Sequence, residues 1–101
     1  MDEARSNSTP QLVTPRFELG QIVATPGALN LLTADMVTEL LRRHLSGDWG
    51  DLSEADQREN EYSVKRALRI FSAYQLPDGD RIWIITAADR SATTILLPSE
   101  Y

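Results

Sequence analysis

The stretch RIFSAYQLPDGDRIWIITAADRSATTILL, Arg69 to Leu97, decides the fold. Two β-rich runs, Arg69 to Leu76 and Arg81 to Thr86, flank Pro77-Asp78-Gly79-Asp80, a Gly-containing turn, which predicts a strand and its antiparallel return. Helical spacing of Val64, Ala67, Leu68 and Phe71 would carry a preceding helix into the first run, but the turn favours the hairpin. Ile82-Trp83-Ile84-Ile85 is apolar on both faces, as expected of a central strand covered by helices on one side, and it assigns Trp83 to the core. After the turn Ala88-Asp89-Arg90-Ser91, Thr93 to Leu97 is expected to pair beside that strand, and Pro98 ends the sheet.

Upstream, Phe17, Leu19, Gln21 and Val23 share a period of two, which predicts an edge strand from Phe17 to Val23. Thr25-Pro26 supplies an N-cap and a first-turn proline for a short helical turn over Gly27 to Leu32. Thr33 caps a second helix, with Met36, Val37, Leu40, Leu41 and either His44 or Leu45 on one face and Gly47 as its stop. Ser53 caps a third, with Glu54 and Asp56 in its first turn and Glu54/Arg58 and Glu61/Lys65 at i,i+4 spacing. Its apolar face is expected at Val64, Ala67, Leu68 and Phe71. Met1 to Pro15 is rich in Ser, Thr, Asn and Pro and reads as a flexible N-terminal tail. The expected architecture is one α+β domain over residues 16–101. Its antiparallel sheet of about four strands joins the N-terminal strand to a C-terminal three-stranded meander, with two to three helices on one face.

Among 101 residues 42% are hydrophobic and 25% charged, the balance of an ordinary globular chain. With zero cysteines, disulfides and thiolate chemistry are excluded, and a reducing cytoplasm is the expected location. No apolar run is long enough to span a membrane. A net charge of −5 argues against direct nucleic-acid binding, which draws its affinity from clustered Lys and Arg.

That charge is concentrated. Asp48 to Glu61 (DWGDLSEADQRENE) holds six of the 15 carboxylates and one of the ten bases, Arg58, an excess equal to the whole formal charge. Asp48, Asp51, Glu54, Asp56, Glu59 and Glu61 therefore form a candidate surface for a basic protein partner, with Trp49 and Tyr62 as candidate aromatic anchors. Trp49 has two readings, a lid folded over the core or an anchor inside an acidic rim, and the lid is favoured. Asp48, Asp51, Glu54 and Asp56 could also offer hard oxygen ligands, although their spacing matches no calcium loop. His44, the single histidine, sits beside Arg42 and Arg43, which oppose an imidazolium, so a helix-end role is expected over a catalytic one. No catalytic residue, metal or cofactor is assigned.

The phrases LSGDWGDL (Leu45–Leu52) and RIWIITAADRSATTILLP (Arg81–Pro98) resemble a family of small bacterial proteins encoded on plasmids and integrated mobile elements, some labelled plasmid-related. The resemblance runs from about Phe17 to Tyr101 and implies a genetic context without an active site. Joined to the acidic segment, it leads to the expectation of a non-enzymatic protein-binding module. Such a module would inhibit a nucleic-acid-binding host defence nuclease or effector by presenting carboxylates in place of phosphates. The alternatives are a homodimeric plasmid-maintenance regulator pairing through the sheet edge and a small metal- or ligand-dependent enzyme using the Asp48 to Asp56 carboxylates.

Overall fold

A computed structural model describes residues 15–101. The expected tail therefore lies outside the described residues except for Pro15. Four strands, β1 (Gln21–Ala24), β2 (Ile70–Gln75), β3 (Arg81–Thr86) and β4 (Ala92–Leu96), form one sheet in the order β1-β4-β3-β2. Three helices, α1 (Pro26–Leu31), α2 (Ala34–Ser46) and α3 (Glu54–Arg66), separate β1 from the meander. This is a mixed α+β fold. β2, β3 and β4 pair antiparallel, whereas β1 returns beside β4 in parallel, because three helices intervene instead of a tight turn.

β1 is shorter than its alternating pattern predicts. Gly20, at a φ of +65°, breaks the extended run, and a side chain there would collide with the backbone of Arg90 and Ser91. Phe17 is thereby released from the sheet and stacks on Trp49, with ring centroids 6.2 Å apart.

Thr25, Thr33 and Ser53 cap α1, α2 and α3 through side-chain oxygens accepting from Ala28, Met36 and Asp56 N–H groups. Leu40 of α2 and Ala28 of α1 meet Tyr74, Ile82, Ile84 and Ile95 in the core, with Met36, Val37 and Leu41 packed around them. α1 and α2 thus cover one sheet face. On the core line of α2 the fully buried residue is His44, and Leu45 is only half-buried.

α3 departs most from its expected packing. It ends at Arg66, Ala67 closes it in the left-handed conformation, and Ala67 and Leu68 are exposed. Its buried residues are Asn60 and Ser63. The physical reason is that α3 lies against the outer edge of β2, where backbone polar groups and not apolar side chains need partners. Asn60 Nδ2 donates to Phe71 O at 2.6 Å, and Phe71 N–H donates to Asn60 Oδ1 at 3.1 Å. Farther along that edge Ala73 N–H donates to Trp49 O, and Asp51 N–H donates to Ala73 O at 2.7 Å. Gly50 lies between them at a φ of +76°, and an added Cβ would collide with Ala73 O.

Candidate functional site

Alternation along β2 and β3 divides their side chains between two environments. Ile70, Ser72 and Tyr74 with Ile82, Ile84 and Thr86 are fully buried on the helix-covered side. Phe71, Trp83 and Ile85 are half-buried on the opposite face, so Trp83 leaves the core to which the apolar run assigned it. Trp83 meets Phe71 edge-on at 5.0 Å and Tyr101 at 5.7 Å. Arg69 Nη1 donates to Tyr101 Oη at 2.6 Å, closing a pocket of about 190 Å³ over Phe71, Trp83 and Ile85.

This aromatic floor continues toward α3. A second depression, of about 260 Å³, shares Arg69 and Phe71 with the first and runs between Asp56, Glu59, Asn60 and Ser63. Asp56, Glu59 and Ser63 lie on one flank of the helix because residues three, four and seven apart share a side. Among the described residues neither Asp56 nor Glu59 has an ion-pair partner. The candidate site is therefore a groove with an aromatic floor, two carboxylates along the helix and a guanidinium held on Tyr101.

The six carboxylates of the acidic segment do not form one row. Glu61 lies on the other flank of α3, where Arg16 donates to both its oxygens at 2.9 and 2.6 Å. The same carboxylate accepts from Trp49 Nε1 at 3.0 Å. Arg16 holds the Glu61 carboxyl down at about 2, with the indole N–H adding to the effect. Asp48 receives Arg43 Nε at 2.6 Å, which lowers its carboxyl below the ordinary range, and Gly50 N–H adds a further bond. Asp51 stands 3.5 Å from Arg81. Glu54 is exposed in the first turn, beside a depression that it shares with Trp49 and Glu61.

Trp49 is 3% exposed and cannot serve as a surface anchor. Its ring closes the core between Phe17 and His44, the lid reading, because Gly50 draws the loop against β2 and turns the indole inward. Tyr62 remains 49% exposed, with the Arg66 guanidinium 4.8 Å above its ring, but it does not line the groove. The expected Glu54/Arg58 and Glu61/Lys65 ion pairs do not form among the described residues.

His44 anchors a buried polar chain whose proton directions follow from its ends. Thr93 Oγ1 must donate to Leu19 O (2.7 Å), because a carbonyl only accepts, so it accepts from Thr86 Oγ1 (2.8 Å). Thr86 then accepts from His44 Nε2–H (2.9 Å), and His44 Nδ1 accepts from Ser72 Oγ (2.5 Å). One hydrogen per hydroxyl fixes Nε2 as the donor, and in the neutral ring Nδ1 is then the acceptor. The imidazole is neutral, and desolvation lowers its pKa to about 3. Both Ser72 and His44 are fully buried, so their contact joins α2 to β2 in the interior.

Two further residues escaped the sequence pattern. Arg90, at a φ of +61°, donates to Ser63 O (3.1 Å), Leu68 O (2.7 Å) and two carbonyls of its own turn, joining the end of α3 to the β3–β4 connection. Glu100 accepts from Thr25 Oγ1 (2.5 Å) and from the N–H groups of Gly27 and Leu97, tying the last turn to α1. A turn arginine and a C-terminal glutamate carry no spacing signal that names such distant carbonyls and amides.

No three His, Asp or Glu side chains gather to hold a metal ion among the described residues, so the Asp48, Asp51, Glu54 and Asp56 carboxylates are not assembled as ligands. No described helix is long and apolar enough to cross a membrane. Searches of protein-family models, curated proteins and solved structures each return no match.

Proposed function

We propose that the chain is a non-enzymatic module that binds a basic segment of a protein partner in the groove between α3 and the open sheet face. The observation that carries this reading is the junction at Arg69 and Phe71 of the aromatic floor with the Asp56/Glu59 flank. A Lys or Arg of the partner would lay its aliphatic stem on Phe71 and Trp83 and direct its charge to Asp56 and Glu59. Arg69, held on Tyr101 at that junction, sets a positive charge beside the aromatic floor, so a basic side chain there is turned toward Asp56 and Glu59. Glu54 extends the negative field outside the groove and favours fast, salt-sensitive encounter.

An inhibitor of a nucleic-acid-binding defence protein, the role drawn from the mobile-element resemblance, would use such a surface. Imitation of a long phosphate row has less support, since Asp48 and Glu61 already hold Arg43 and Arg16. The test is affinity capture from bacterial lysate at low and moderate salt, with the wild type beside Asp56→Lys/Glu59→Lys. We expect a basic protein to be retained by the wild type alone, with retention falling as salt rises. Equal retention by a folded double variant would overturn the reading.

A further inference from the structure

The sheet has two edges, and the chain treats them oppositely. On β2 the outward N–H and C=O of Phe71 and Ala73 are all occupied, by Asn60, Trp49 and Asp51. On β1 the N–H groups of Gln21 and Thr25 reach Ser91 O and Ile95 O, so the parallel ladder turns residues 21, 23 and 25 toward β4. Ile22 and Ala24 direct their N–H and C=O away from the sheet, and no described residue meets them.

The side chains repeat the contrast. Ile22 lies on the helix-covered face, in register with Thr93, and Val23 on the open face, in register with Thr94. Both are 42% exposed, so this edge presents apolar side chains to solvent on both faces. Leu29 of α1 is 61% exposed close by in the chain. Lys, Pro or a bulge commonly protects a bare edge, and β1 has none of them.

We infer that β1 pairs with β1 of a second copy of this chain, antiparallel about a two-fold axis through Val23, so that the two sheets become one. Charge selects this occupant. From Leu19 to Thr33 there is no ionisable side chain, in a chain that carries 25% charged residues and a net charge of −5. The excess negative charge lies in Asp48–Glu61, which packs against β2 at the opposite edge, so two copies meeting along β1 keep those segments apart and bring no like charges together. A partner chosen by charge finds no complement there. With Val23 of each copy opposite the other, Ile22 of each strand exchanges both backbone bonds with Ala24 of its counterpart, and all the outward groups are satisfied. The α3 groove lies over β3 and β2, away from β1 across β4, so both copies keep it open.

The test is the mass in solution, by sedimentation equilibrium from micromolar to submillimolar chain. Wild type is compared with Ile22→Lys and Ala24→Pro; the proline deletes an N–H that no described residue uses. The expected result is a wild-type dimer and two folded monomeric variants. Amide exchange at Ile22 and Ala24, followed on the wild type, is expected to slow as concentration rises, and this holds whether or not a variant folds. A wild-type monomer throughout, a dimer retained by both folded variants, or concentration-independent exchange at both amides would each overturn the inference. The Asp56→Lys/Glu59→Lys variant is expected to stay dimeric, which separates this result from the fate of the groove.

Discussion

The two flanks of α3 carry the same residue type to opposite ends. On the inner flank Glu61 is committed to Arg16 and to the indole of Trp49, which closes over His44 and its chain of hydroxyls. On the outer flank Asp56 and Glu59 face solvent above an aromatic floor and, among the described residues, have no cationic partner. A carboxylate with an arginine and an indole beside it holds the fold, and one without them is available to another molecule. Counting acids along a helix does not distinguish the two.

Substitutions on the inner side should cost stability and leave the outer side intact. The largest loss is expected for His44→Ala, which leaves Ser72 and Thr86 without their partner and opens a cavity. Chemical denaturation should show a drop of about 4 kcal/mol. Asn60→Leu removes both partners of the Phe71 backbone and should cost about 2 kcal/mol by the same measurement. Glu61→Ala should cost about 1 to 2 kcal/mol, chiefly by orphaning the Trp49 N–H, since screening holds the exposed ion pair below about 1 kcal/mol. Glu61→Gln, which retains an acceptor, should recover most of that loss.

Acid separates the inner groups from one another. The folded His44 pKa lies near 3, below an unfolded value of about 6.5, so below pH 6.5 the unfolded chain binds the extra proton. Stability should therefore fall with acidification, approaching about 1.4 kcal/mol per pH unit, until His44 itself protonates near pH 3. The chain has one histidine, so the fall between pH 6.5 and 5 belongs to it, and His44→Gln should flatten that portion of a stability–pH curve. Glu61, near 2 when folded, adds its own loss only as pH falls from about 4.3 toward 2. At the small end, Asp56→Ala should change stability by less than about 0.5 kcal/mol while weakening partner capture. A large loss of stability there would erase the contrast between the flanks.

The hairpin around Pro77-Asp78-Gly79-Asp80, the caps at Thr25, Thr33 and Ser53 and the helix stop at Gly47 were legible because each follows from a few neighbouring residues. The acidic concentration was legible as a sum, but its division between Arg-paired and open carboxylates was not. Arg16 and Glu61 are 45 residues apart, and no periodicity joins them. The same holds for Asn60 and Phe71, whose pairing turned α3 onto a polar buried side that the apolar wheel could not predict.

By itself the sequence determined where the chain turns, where its helices start and that its net charge belongs to one segment, since propensity, capping and charge act over a few residues. Tertiary structure alone decided that Trp83 faces outward, that β1 returns in parallel and that, among the described residues, one sheet edge is closed and the other unpaired, and it settled the favoured lid reading of Trp49. Those outcomes depend on which distant backbone groups come within hydrogen-bonding reach, and that is settled only when the sheet and its covering helices pack together.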